Sequence, residues 1–113
     1  MNIETIVIKY LSDSIPNARV YAEVPEKPSG EFYVIDKTGG SVLNRVTTST
    51  IAVQSYGSSK LNAAQMNETV KQAMENIVTL PEIGGCHLNS DYNFTNTGKR
   101  QHRYQAVFDI THY

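Results

Sequence analysis

Cys86 and His87 stand side by side, and a thiol next to an imidazole is a pairing used for nucleophilic attack. The run "CHLNSDYNFTN" at 86–96 reads as a mostly polar strand, however, and neighbours along a strand point to opposite faces. The imidazole then does not reach the thiol, and Cys86 reads as a small buried hydrophobe opening a strand. As the single cysteine it excludes an internal disulfide and a cysteine-rich metal site. His87, His102 and His112 have no His-x-x-x-His spacing and no glutamate at the offset a zinc hydrolase needs. His102 also sits in a basic turn that repels cations, so each histidine reads as a surface or rim residue. Asp36, Asp91 and Asp109 fall on three separate strands, where one carboxylate per polar face is ordinary solvation. Gly39-Gly40 could open an anion-cradling loop, but a strand follows rather than a helix N-terminus. The pair reads instead as a place where φ turns positive as the chain leaves a sheet. These residues lead to no expected catalytic residue, metal ligand or cofactor site, and the chain reads as a non-enzyme.

One charge cluster remains. In "NTGKRQHR", Lys99, Arg100 and Arg103 lie within five residues, with no acid between Asp91 and Asp109. A solvated turn explains it, and so does a docking point where arginine forks meet acidic groups of a neighbouring subunit. The net charge of −1, from ten basic and eleven acidic residues, recommends neither a phosphate backbone nor an anionic membrane as partner.

The elements that hold these residues follow from periodicity. Ile3, Ile6, Val7, Tyr10 and Leu11 make one stripe of an amphipathic helix over 3–14, stopped by Pro16. "ARVYAEVP" reads as a short strand at 18–24, and "PEKPSG" as a loop. "EFYVIDK" is a strand ended by Gly39-Gly40, and "TTSTIAVQSYG" at 47–57 is another. Ser58 or Ser59 caps a long helix over about 59–79, whose stripe is Ala63, Met66, Val70, Ala73, Met74, Ile77 and Leu80. Pro81 and Gly84-Gly85 close it. The last run, "HRYQAVFDITHY", sets Tyr104, Ala106, Phe108 and Ile110 on one apolar face.

The expected fold is therefore α+β, in the order α-β-β-β-α-β-β. A mainly antiparallel sheet of four to five strands carries the two helices on one face. A hydrophobic fraction of 40% over 113 residues suits one packed domain, 1–113. The start "MNIETIVIKYLSDSIP" lacks a signal-peptide pattern, and no stretch reaches the length of a membrane span, so a cytosol-like space is expected.

Between the two central strands, "GGSVLNRV" is too long and too apolar for an ordinary turn, since hairpins use two to five residues. It reads as an extended loop that offers Val42, Leu43 and Val46 to a neighbour, with Arg45 free to pair with a carboxylate there. Folding back onto its own sheet is the other reading.

Taken in order, several segments resemble the tail terminator, or tail completion, proteins of long-tailed bacteriophages and prophages. They are the N-terminal helix, "RVYAEVPEKPSGEFYVIDKTGG", "TSTIAVQSYGSSKLNAAQMNETVKQAM" and "RYQAVFDIT". The resemblance implies a structural protein without cofactors. It assembles as a ring, usually a hexamer, on the last ring of major tail tube protein, stops tube growth and meets the head–tail connector protein. It also implies a place at the head-proximal end of the virion tail, after assembly in the bacterial host cytoplasm. DNA would pass through the ring without specific binding, so the 99–103 cluster would lie outside the lumen or be neutralised by a neighbour. Two alternatives are another head–tail connector or neck protein and a small nucleic-acid-binding α+β domain. The subunit-interface candidates are Val42, Leu43, Arg45, Val46, Lys99, Arg100 and Arg103.

Overall fold

Asn2 starts the first helix because its side-chain oxygen accepts from the free backbone N–H groups of Glu4 and Thr5, at 2.9 and 3.3 Å. In the computed structural model, which describes residues 2–26, 30–43, 46–93, 95 and 101–113, this helix (α1) spans Ile3–Ser14. It buries Ile3, Val7 and Leu11. Ile15, just before Pro16, takes extended backbone angles and ends it.

Five strands follow: β1 (Val20–Tyr21), β2 (Phe32–Leu43), β3 (Val46–Gly57), β4 (Ile83–Asn93) and β5 (His102–His112). They form one sheet in the order β1-β2-β3-β5-β4. The element order and the α+β class are as the periodicity predicts. Two details differ. The first strand shrinks from 18–24 to two residues, and it runs parallel to β2, which makes the sheet mixed. The other pairings are antiparallel.

The larger difference concerns "GGSVLNRV". The described residues of this segment continue both strands instead, while Asn44 and Arg45 lie outside the described residues. Leu43 pairs with Val46, Val42 with Thr47, Ser41 with Thr48 and Gly40 with Ser49. Gly39-Gly40 do not end the strand, and the described glycine with positive φ is Gly30. A bulge at Thr38 puts one extra residue into β2. Beyond the bulge the side-chain alternation of β2 is shifted by one residue.

Helix α2 spans Lys60–Glu75, capped by Ser59, whose hydroxyl accepts from the N–H of Asn62 at 3.1 Å. It is shorter than the expected 59–79. At Asn76 the chain tightens into a 3₁₀ turn, Ile77–Thr79, that still buries Ile77 completely. Gly57 allows β3 to meet this helix closely, since a Cβ there would lie 2.5 Å from the backbone nitrogen of Ala63.

Both helices lie on one face of the sheet. Val7 and Leu11 of α1 and Met66, Val70 and Met74 of α2 pack with Ile35, Ile51, Val53, Ala106, Phe108 and Ile110. Each fully buried side chain of this kind contributes about 1.5–3 kcal/mol relative to exposure. The Tyr10 hydroxyl donates to the carbonyl of Ala73 at 2.7 Å and ties the helices together. No described helix is long and apolar enough to cross a membrane.

Candidate functional site

The alternation of β3 and β5 places a second set of side chains on the face without helices. Phe32, Val34 and Tyr56 form a small buried cluster there, with Phe32 stacked on Tyr56 at 4.6 Å between ring centroids. A chain of hydrogen bonds crosses the sheet beside them. Arg103 Nη1 donates to the Tyr56 hydroxyl at 3.1 Å, Tyr56 donates to Gln54 Oε1 at 3.0 Å, and Gln54 Nε2 donates to Gln105 Oε1 at 3.0 Å. Gln105 in turn donates to the Tyr92 hydroxyl. Further along, Asp109 accepts from the Thr50 hydroxyl and from Asn89 Nδ2, both at 2.9 Å. These side chains thus find their hydrogen-bond partners in one another across three strands. It is a stiff, wettable surface.

Arg103, one of the interface candidates, belongs to this face. Its guanidinium lies 5.7 Å from the centre of the Tyr56 ring as well as bonding its hydroxyl. Lys99 and Arg100, the rest of the basic cluster, lie outside the described residues, and so does Arg45.

The hairpin of β2 and β3 carries the remaining candidates. From Asp36 to Leu43 every residue of β2 is exposed. Val42 is 69% and Leu43 75% exposed, while Val46 is half-buried. Because cross-strand partners share a face, Leu43 and Val46 lie on the open face, and Val42 lies with Thr47 on the helix side. The end of the hairpin therefore shows apolar surface on both sides. Periodicity missed one more exposed apolar residue, Leu61 of α2, at 82% exposure. It borders a groove of about 550 Å³ shared with Ala64, Asn67, Asp91 and Tyr104.

The residues considered for chemistry are dispersed. Cys86 and His87 point to opposite sides of β4, as expected, although the strand already begins at Ile83. Cys86 packs half-buried against the core, and burial pushes its thiol up to about 11. Asp91 faces α2, where Lys71 holds it at 3.0 Å, whereas Asp36 and Asp109 share the open face. Among the described residues no group of three His, Cys, Asp or Glu side chains could hold a metal ion.

One histidine departs from its expected turn and another from the surface or rim reading. His102 belongs to β5, not to a turn, and is half-buried. His112 is only 6% exposed, and its Nε2 lies 2.8 Å from the buried Ser49 hydroxyl. Burial, and then the charge of Lys37, lower the pKa of His112. Only the register between β3 and β5 brings Ser49 and His112 together, and no local motif marks them. Compared with known proteins, the chain matches no family model, and no curated protein matches its sequence.

Proposed function

We propose that the chain is a structural subunit of the tail-terminator kind, which acts by shape. Copies close into a ring on the end of a tail tube, stop its elongation and present a surface to the head–tail connector. DNA passes through the ring without being gripped.

The apolar hairpin end carries the reading. Val42 and Leu43 stay more than two-thirds exposed on a β-arm that no helix covers among the described residues. Burying such surface against a neighbouring copy contributes about 25 cal/mol per Å². A surface that docks onto a different patch of an identical copy yields a ring if the rotation closes. The satisfied polar network of the open face supports the same reading, because it gives each copy a rigid surface that needs no ligand to order it.

The test is the length of tails assembled without this protein, read by negative-stain microscopy. Overlong tubes that fail to join heads are expected, and restoring the protein should restore a fixed length. Tubes of normal length joined to heads would overturn the proposal.

A further inference from the structure

The sheet has two edges without a strand partner among the described residues. On β2, β1 pairs only as far as Val34, which leaves the edge open toward Leu43. On β4, the whole outer side is open. A row of unpaired N–H and C=O groups is a template for another strand. Charged blocks and prolines are the usual guards of such an edge, and both are scarce here. From 36 to 43 the only charges are Asp36 and Lys37, and β4 contains no proline or lysine. The acid of β4, Asp91, is held by Lys71.

The two edges also match each other. Across the sheet Gly39 shares a row with Thr50, Asp109 and His87. Gly40 shares one with Ser49, Ile110 and Cys86, and Ser41 shares one with Thr48, Thr111 and Gly85. These short stretches lie clear of the bulges at Thr38 on β2 and at Gly84 and Asn89 on β4.

The backbone phase agrees as well. Tyr33 N–H donates outward to Arg19 at 2.8 Å, and the extra residue at Thr38 shifts the alternation by one, so Gly40 and Val42 point outward. On the other side, Tyr113 N–H donates to Glu82, across to the β4 side. The same alternation turns Thr111 and Asp109 toward β4 and their partners Gly85 and His87 toward β5, which leaves Cys86 and Leu88 pointing outward. β2 and β4 run in opposite directions.

We infer that β2 of one copy pairs antiparallel with β4 of the next, with Gly40 opposite Cys86, so that one sheet continues from subunit to subunit. The occupant of each edge is a second copy, because the two edges of one sheet present small residues at the same level, in opposite directions and with outward backbone groups in phase. The contact is head-to-tail, which is the kind that makes rings. The inference rests on the ring reading above and specifies its joint.

Cross-linking tests it. In a Cys86→Ser background, Gly39→Cys and His87→Cys would face each other across the joint as a non-hydrogen-bonded pair. Their Cα atoms would then be about 4.5 Å apart, within disulfide range. Mild oxidation should give a ladder of covalent multimers on a non-reducing gel. A matched Gly39→Cys/Ser90→Cys variant, displaced beyond the Asn89 bulge, should give none. A second variant, Val42→Pro, removes one outward N–H but no bond within the hairpin. It should stay folded by circular dichroism and lose the self-association that the joint predicts for the wild type in light scattering. Cross-linking of both cysteine pairs alike, of Gly39→Cys alone as a dimer, or of neither pair would overturn the inference, and so would normal assembly of Val42→Pro. Tail length remains a separate readout. Overlong tails without the protein, combined with no ladder, would remove the joint and leave the function. A ladder with tails of normal length would do the reverse.

Discussion

Ser49 on β3 and His112 near the end of β5 form a hydrogen bond inside the protein, 2.8 Å from hydroxyl oxygen to Nε2, on the face covered by the helices. His112 Nδ1 is buried there without a hydrogen-bond partner among the described residues. Burial lowers the pKa of the ring, with Lys37 adding to the effect, so the folded protein prefers it neutral. The unfolded chain takes up the proton more readily, so this contribution to stability is complete above the ordinary histidine value of about 6.5 and is lost as pH falls below it. The melting temperature should drop between pH 6.5 and 5, and His112→Gln, which keeps a hydrogen-bonding group but does not titrate, should flatten that part of the profile. Ser49→Ala should cost about 1–3 kcal/mol at pH 7 by leaving Nε2 unpaired as well.

Cys86 should be a poor nucleophile in the folded state. Burial, then the charge of Asp109, push its thiol from 9.0 up to about 11. Since the thiolate is the reactive form, that shift leaves about a hundredfold less of it at pH 8. Alkylation by iodoacetamide should be slower by about that factor in native protein than in urea-unfolded protein. Equal rates would mean that the strand opens readily around Cys86.

Much of the fold could be read from local chemistry. Asn2 and Pro16 bound α1, and the 3.6-residue stripe of Val70, Met74 and Ile77 survives even though α2 gives way to a tighter turn at Asn76. What could not be read depended on partners distant in the chain. Gly39-Gly40 look like a strand end because glycine has low β-propensity, yet pairing with Ser49 and Thr50 carries the strand through them. His112 looks like a rim residue near the C-terminus until Ser49, 63 positions away, becomes its neighbour. The candidate site was legible in part for the same reason. The apolar content of Val42 and Leu43 is visible in the sequence, but their place on a paired arm comes from Thr47 and Val46 across the ladder, and the face each takes from the bulge at Thr38, which no residue type announces.

Gly57 is the junction most sensitive to a single methyl group. A Cβ at this position would lie 2.5 Å from Ala63 N and 2.8 Å from Ala63 Cα, and backbone cannot swing aside as a flexible side chain can. Gly57→Ala must push the start of α2 off the end of β3. A loss of about 1–3 kcal/mol is expected in urea unfolding. Gly85→Ala serves as the control, since a Cβ there meets nothing within 4 Å, and it should change stability by much less.

The hairpin end separates folding from assembly most cleanly. Val42 and Leu43 bury little in the single chain, so Val42→Ser with Leu43→Ser removes almost no core contact and should leave the melting temperature within a few degrees of wild type. In a ring the same side chains are covered, and their loss should abolish multimers in light scattering and leave tails overlong. Deleting 41–46 should do the same by a harsher route. It joins Gly40 to Thr47 and leaves Thr47-Thr48 as a two-residue turn above the Gly40–Ser49 pair, so the rest of the β2–β3 ladder survives. Normal assembly of both variants would show that the apolar end is decoration, and the proposed role of this hairpin would then fall whatever the tails do.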